Sequence, residues 1–526
     1  MKPFKQIAGL KPGRSVFDNS YYKVFDCNLG WLIPVLCDLY LPGDVVKIAV
    51  EALVRANPLI MPLMHRIDMK VDYFAVPIRL LWPKPDYKDE EGNTLGYTLD
   101  TSSFEEFITG GVTGKLAPVQ PKWIPVDSGL YSLWDYFGNP LGKYPVGGIN
   151  AYQKRAYQMV YNEYYRDPDM EDPVDLDSEN LRLRKWEKDY FTSARPELQR
   201  GVAPSVPLSG TGKALFDGSI DTVAGGNYGI GMSSNLSDLK SANAGGAVAF
   251  KDWLEKNQID LTNVGTMTAN DMRTVFQIQK YLERSMRAGS RLTEQILAHW
   301  GVHNGDSRLQ RPEYIGGSRS PIIISEVLQT SQTTTDQSGG SPQGNLSGHG
   351  IGTANTTIGS YYCREHTVII GLMSLMPKPV YQQGVNRQWL YETKFDYPTP
   401  ELVNLGEQEV YNMELMCTGN EPYDKGVFGY QGRYDEHRVK QNQICGRLRS
   451  QAQQSLSQWH LARYFDPASP PVLNEEFLEM VDDQRYSAVQ GSPTGPIPGW
   501  IVTFGNRVRR IAPLPIVGTP GLIDHH

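Results

Sequence analysis

Hydrophobic positions along this chain change period several times, and the changes mark its elements. Ile67, Met69, Val71, Tyr73 and Ala75 alternate with Asp68, Lys70 and Asp72, the period-2 pattern of a half-buried strand. Val45–Arg55 fits two periods: Val46, Ile48 and Val50 alternate, while Val46, Ala49, Val50 and Leu53 also suit a helix. Its β-branched content favours a strand. Tyr152–Tyr165 has helical spacing, as does the run after Thr268, where Met272, Val275, Phe276, Tyr281 and Leu282 recur between Gln277, Lys280 and Glu283. Gly289 interrupts that run. A second one places Leu292, Ile296, Leu297 and Trp300 on one face before Gly301 stops it. Asp306–Gly317 then reads as an irregular, Arg-rich loop closed by a Gly pair, followed by a buried strand from Ile322 through Ile324 to Val327. Thr367–Met373 returns to a strand, Glu475–Val481 suits a short helix, and Arg507–Arg510 through Pro515 reads as an extended tail.

Long connections separate these elements. Residues 1–30 read as an extended N-terminal arm, basic at Lys2, Lys5, Lys11 and Arg14 and broken by Pro12-Gly13. Such an arm suits either contact with a polyanion or packing on its own domain. Residues 83–200 read as a loop and helix insertion, rich in Pro, Gly and aromatic residues as far as 150. Connections of that length are usually functional when ordered. Residues 202–250 read as a Gly-rich surface insertion loop, 268–301 as inserted helices, and 330–359 as a flexible Gly/Ser/Thr loop. The expected organisation over 1–526 is one β domain carrying these insertions.

Composition narrows the picture. Only 21% of residues are charged, while 51 glycines, 36 prolines and 29 tyrosines favour turns and long ordered loops over a helical bundle. A net charge of -7 argues against a surface that grips nucleic acid everywhere, and leaves room for a local basic face. Five cysteines, scattered from Cys27 to Cys445, give no CxxC and no disulfide framework, so buried thiols and a reducing cytoplasm are expected. The N-terminal residues show no apolar signal core, and no stretch approaches a membrane span, so no membrane insertion is expected.

Candidate chemistry is sparse. Ser209-Gly-Thr-Gly-Lys213 has Pro207 where a phosphate loop needs Gly and Ala214 where it needs Ser or Thr. Gly316-Gly-Ser318-Arg-Ser320 lacks the final Gly of a nucleophile elbow. His299 and His303 have the spacing of helical zinc ligands, but Gly301 stands between them and no Glu follows His299. The acidic run Asp167, Asp169, Glu171, Asp172, Asp175, Asp177, Glu179 lacks the Gly and Glu of a calcium loop and reads as a solvated surface loop. No enzyme, metal or cofactor is expected. The one positive signal is cationic and aromatic: Arg433, Arg438, Lys440, Arg447 and Arg449 interleave with Tyr430, Tyr434 and His437. Cations neutralise phosphates and flat rings stack unpaired bases. The competing reading is a strand whose arginines pair with Asp435, Glu436 and neighbouring subunits.

Several stretches, in order, carry a resemblance. They include "LPGD" at Leu41–Asp44, "VPIRLLW" at Val76–Trp82, "YNEYYRD" at Tyr161–Asp167 and "DYFTSARPELQRG" at Asp189–Gly201. "LQRPEYIGG" at Leu309–Gly317, "YQQG" at Tyr381–Gly384, "LGEQ" at Leu405–Gln408 and "FGYQGRYDEHR" at Phe428–Arg438 follow. Together they resemble the major capsid protein of the Microviridae, the small icosahedral single-stranded DNA phages, and its gokushovirus-like type most closely. The resemblance implies a mainly β fold, an eight-stranded antiparallel jelly roll with long loop insertions and some helices. It implies self-assembly with other copies into an icosahedral T=1 virion around a circular single-stranded DNA genome. Further implied partners are a small basic DNA-binding protein, internal scaffolding and pilot proteins, and a host surface receptor met by outer loops. Arg433, Tyr434, Arg438, Lys440, Arg447 and Arg449 are the candidates for weak nucleic-acid contact on the inner face. Arg308, Arg311, Glu313 and Tyr314 are the candidates for a subunit interface, or equally for pairing inside one subunit. A carbohydrate-binding β protein, with Trp134 and Tyr136 as aromatic platforms, is the alternative.

Overall fold

The structure, a computed structural model, describes residues 13–57, 59, 61–82, 122–199, 230–232, 239–241, 269–288, 298, 311–328, 346–480 and 498–517. They belong to two compact units, Met1–Leu198 with Gly289–His526, and Gln199–Ala288. In chain order the first unit holds strands β1 (Ser15–Asp18), β2 (Tyr21–Cys27), β3 (Ile33–Tyr40), β4 (Val45–Ala56), β5 (Ile67–Pro77), β6 (Lys122–Trp123) and β7 (Ile149–Asn150). The second unit supplies the paired strands β8 (Ile230–Met232) and β9 (Leu239–Ser241) and the helix Ala269–Ala288. The first unit resumes with β10 (Glu313–Leu328), β11 (Leu346–Tyr362), β12 (Thr367–Pro377), β13 (Glu407–Tyr411), β14 (Val427–Gly432) and β15 (Trp500–Ala512).

Nine of these strands form one antiparallel sheet in the order β1-β15-β4-β11-β10-β5-β12-β3, with β2 on the same edge of β15 as β1. The order explains itself once the side chains are followed. Val46, Ile48 and Val50 of β4 and Val502 and Phe504 of β15 share one buried cluster with Ile67, Met69 and Val71 of β5, Ile33 and Val35 of β3, and Met373 of β12. The two halves of the sheet therefore lie face to face, β2-β15-β4-β11 against β10-β5-β12-β3. Successive strands of the sheet cross between the halves at β2 to β3, β3 to β4, β4 to β5, β10 to β11, β11 to β12 and β12 to β15. This is a mainly β jelly roll with insertions.

The corner is made by two long strands. β10 pairs with β5 over Glu313–Ile322 and with β11 over Ile322–Leu328, and β11 pairs with β4 from Ile351 onward. Both strands overrun segments read as loops from sequence. Gly316 and Gly317 are paired residues of β10 just after a bulge at Ile315, not a loop closure, and a Cβ on Gly317 would meet Val71 O at 2.7 Å. Gly350 and Gly352 let β11 turn the corner, where a Cβ would lie 2.9 Å from Ala56 and Ile322. The tail reading of Arg507–Arg510 is likewise replaced by a strand, held between β2 and β4.

The two outer faces differ. Phe74 and Val76 of β5 and Val368, Ile370 and Leu372 of β12 pack beneath the helix Tyr152–Val160, in a cluster with Leu133, Trp134 and Tyr157. Farther along β5, Asp72 pairs with Arg184 at 3.0 Å, Asp68 with Arg319, and Lys70 with Glu187 at 3.7 Å. Thus β5 is not half-buried as its alternation suggested; chain segments cover its polar row as well. The acidic run is solvated only in part: Asp172 and Asp175 are exposed, whereas Glu171 is buried against Lys185 at 2.9 Å, Asp177 meets Arg155 at 2.8 Å, and Asp169 meets Arg195 at 3.1 Å. By contrast β4 and β15 alternate cleanly between buried and open positions, so the outer face of β2-β15-β4-β11 is uncovered by the described residues.

Helical readings fare unevenly. Tyr152–Val160 is α-helix and Tyr161–Tyr165 a π turn, and Glu475–Leu478 is a single helical turn. The helix Ala269–Ala288 forms, with Met272, Phe276 and Tyr281 exposed. The run from Leu292 lies outside the described residues apart from Ala298, as do His299, His303, Ser209–Lys213 and the greater part of 202–250. All five cysteines are free. Cys27 and Cys363 are buried as expected, but Cys417 and Cys445 are exposed.

Candidate functional site

The cationic segment is a set of braces more than a single strand. β14 pairs with β13, and the chain then turns through Tyr434, whose φ of 63° is left-handed. A non-glycine residue in that region is strained, so something must hold it. Tyr434 is 4% exposed, and its hydroxyl donates to Phe395 O at 3.1 Å and Tyr397 O at 3.3 Å. Its N–H donates to the Gln408 amide oxygen, Oε1, at 3.1 Å. Tyr434 is therefore a pin between loops, and its ring is not free to stack a base.

The cations around it divide by partner. Arg438 pairs with Asp435. Lys440 donates to Glu436 O at 2.9 Å and Gln388 Oε1 at 3.2 Å, Arg447 to Gln454 O at 3.2 Å, and Arg449 to Gln382 O at 3.0 Å. Arg433 lies 5.0 Å from the Tyr434 ring centre and donates to Phe395 O at 3.5 Å. Glu436, expected as an arginine partner, is buried and accepts from Tyr391 and Gln408 instead. Neutral carbonyls orient a cation without cancelling its charge. The structure joins Arg433, Tyr434 and Lys440 to the 387–397 loop, keeps Arg438 on Asp435 of its own turn, and ties Arg447 and Arg449 to residues 454 and 382.

Of the interface candidates, Arg308 lies outside the described residues. Arg311 sits over the Tyr164 ring at 5.9 Å. Tyr314 packs 5.4 Å from Phe74 and donates to Asp72 at 3.4 Å, yet keeps 49% of its surface open. Glu313 opens β10 opposite Ala75 and hydrogen-bonds Tyr361, whose hydroxyl burial holds in its protonated form. Each contact is within the subunit. Among the described residues no group of His, Cys, Asp and Glu could hold a metal ion.

Residues 5–522 match the family described as "Capsid protein (F protein)". The chain belongs to this capsid family. It is 30% identical to "Capsid protein VP1" of Chlamydia phage 1, over 99% of this chain and 97% of the relative. It is 31% identical to the protein of that name in Spiroplasma virus 4, over 94% and 93%, and 29% identical to that of Bdellovibrio phage phiMH2K, over 98% and 97%. The resemblance to the Microviridae capsid protein is thus a family membership, and the role is that of a phage structural protein assembling with its own copies in a virion.

Family motifs now acquire physical reasons. In "YQQG", a Cβ on Gly384 would lie 1.8 Å from Glu414 O, so the two backbones touch there. Gln382 and Gln383 donate to Arg463 O and Phe465 O at 3.3 and 2.6 Å, fastening the loop that follows. In "LPGD", Asp44 is fully buried and accepts from Leu41 N at 2.8 Å, while Arg510 of β15 pairs with its carboxylate at 2.6 Å. The glycan-binding alternative fails on geometry: Trp134 is 0% and Tyr136 5% exposed, so both are core residues and neither is a platform.

Sequence reasoning missed the open outer face of β2-β15-β4-β11. Lys47, Arg55, Arg507 and Arg509 are exposed there, with Tyr22 74% and Val24 62% exposed. The signal was present as alternation in β4 and β15, but the cations come from two distant segments and only pairing brings them together.

Proposed function

We propose that this chain is a major capsid protein whose copies close into a T=1 icosahedral shell around a circular single-stranded DNA genome. The observation that carries the reading is a match to one capsid family over nearly the whole chain, on a jelly roll with long insertions. Closed shells need complementary patches on every copy. Exposed Trp389, Phe395, Tyr397 and Leu405 supply the large apolar contacts such patches use. Arg311, Glu313 and Tyr314, with Arg308, remain candidates for a contact beside them, Tyr314 through its open half.

Arg433, Arg438, Lys440, Arg447 and Arg449 are proposed as weak phosphate contacts, since most of them are held by carbonyls and keep their charge. Tyr434 serves them as a pin. A small basic protein supplies the bulk of the neutralisation, internal scaffolding and pilot proteins assist assembly in the bacterial cytoplasm, and outer loops including 202–250 meet the host receptor. Negative-stain electron microscopy of the chain expressed with its neighbouring viral proteins tests this reading. Uniform small spherical shells are expected; particles from infected cells that lack this chain would overturn it.

A further inference from the structure

The jelly roll leaves one broad face open, and its details fit a ligand that is flat and negatively charged. Strand register lines up Tyr22, Gly505, Glu51 and Asn355 in one row across β2, β15, β4 and β11. Because Gly505 has no side chain, the row sinks at its centre. The resulting hollow of about 460 Å³ is lined by Tyr22, Glu51, Thr353, Asn355, Thr503 and Gly505. That volume lies within the range of small-molecule sites, about 300–1,000 Å³. Tyr22 forms one wall and is 74% exposed.

The charges flank the hollow. Arg509 stands opposite Lys47 on neighbouring strands, and Arg55 lies four residues beyond Glu51 on the other side. Lys47, Glu51 and Arg55 are therefore spaced roughly 13 Å apart along β4. Among the described residues, Lys47, Arg55 and Arg509 meet no carboxylate within ion-pair distance. Arg507 is engaged, 3.9 Å from Glu51 and donating to Asn355 at 2.6 Å. Glu51 and Asn355 so held present acceptors at the hollow, suited to the amino edge of a base and unsuited to a phosphate.

We infer that the outer face of β2-β15-β4-β11 is a single-stranded nucleic-acid site, where a base stacks on Tyr22 over Gly505 and the flanking phosphates meet Lys47, Arg509 and Arg55. This rests on the capsid reading and deepens it, by placing base contact on a sheet face distinct from the 433–449 cations. A duplex hides its base faces and cannot use the hollow. Ring stacking on an exposed aromatic is sequence-tolerant, as the enclosure of an entire genome requires.

The test uses the full chain and a dye-labelled 20-mer of oligothymidylate, read by fluorescence anisotropy over a salt series. Tyr22→Ala is expected to weaken binding about ten-fold with the salt slope unchanged, and Tyr22→Phe to restore it. Lys47→Ala with Arg509→Ala is expected to lower the slope by about 1.4, two phosphate contacts on a single strand. A blunt duplex of the same length should show no Tyr22 effect. Unchanged binding in the Tyr22 and Lys47/Arg509 variants, with loss in Arg438→Ala/Lys440→Ala, would overturn the inference. So would variants that bind like the wild type yet fail to form shells, which would make this face a contact between copies. Shell formation by the wild type, imaged in parallel, tests the capsid reading separately from the DNA site.

Discussion

Asn506 lies at the centre of the sandwich and is 0% exposed. It accepts from the Tyr73 hydroxyl of β5 at 2.8 Å and donates to Val35 O of β3 at 2.9 Å, so one side chain of β15 ties the two facing sheets together. Val35 needs that donor, because the β3–β12 register skips it between Gly371 and Leu372. Gly371 in turn has no Cβ because the Tyr73 ring occupies the space, 2.5 Å from where one would be. Replacing Asn506 by Leu leaves a buried hydroxyl and a buried carbonyl without partners. A loss of about 2–4 kcal/mol is expected, against about 1 kcal/mol for Tyr73→Phe, which removes only one bond. Chemical unfolding of the isolated subunit measures both, and equal losses would show that the bridge to Val35 contributes nothing. In sequence this residue is illegible: Gly505-Asn506 carries a turn signal, and only the flanking Phe504 and Val508 mark a strand.

At the scale of elements, what could be read from sequence followed burial. β4 has one face in the core and one open, so its alternation carried through to the structure. β5 showed the same alternation, yet its polar row is covered, because ion pairs to Arg184, Glu187 and Arg319 allow charged residues to be buried. β11 read as a flexible loop because its glycines serve close approach at the corner, and composition alone does not distinguish close packing from freedom. A pair of histidines joins the loop around 445–462 to this framework. His65 Nε2 meets Lys378 O at 2.8 Å, and Leu461 N donates to His65 Nδ1 at 3.4 Å; His460 Nδ1 likewise accepts from Ala462 N at 3.0 Å. Burial pulls His65 from 6.5 down to about 4. Its neutral form is thus favoured by folding: the stability it contributes is complete above pH 6.5 and is lost as pH falls toward 4. The loss amounts to about 3 kcal/mol once pH is below both values. Thermal melts at pH 7.5 and pH 4.5 should show a smaller acid drop in His65→Gln than in the wild type, since glutamine offers a donor near Nε2 and does not titrate. An identical drop in both would assign acid sensitivity to other groups.

The whole molecule sets a limit that no local patch can evade. A net charge of -7 per copy, multiplied around a shell, repels a polyanion at long range, and the open sheet face offers only Lys47, Arg55, Arg507 and Arg509 against it. Single-stranded DNA binding at this face should therefore contribute a log–log salt slope no steeper than about -2, from Lys47, Arg55 and Arg509 at roughly 0.7 each, since Arg507 is engaged by Glu51 and Asn355. Contacts so few cannot neutralise a genome that fills the interior. On the proposed reading, copies position DNA through stacked bases while a separate cationic partner condenses it. Shells formed without that partner are expected to carry little nucleic acid, with an absorbance ratio of 260 to 280 nm close to that of pure protein. Co-expression with a basic partner should raise the ratio toward that of a nucleoprotein. Full DNA content in shells of this chain alone would mean that cations outside the described surfaces line the interior, and that the acidic balance of the chain is confined to its exterior.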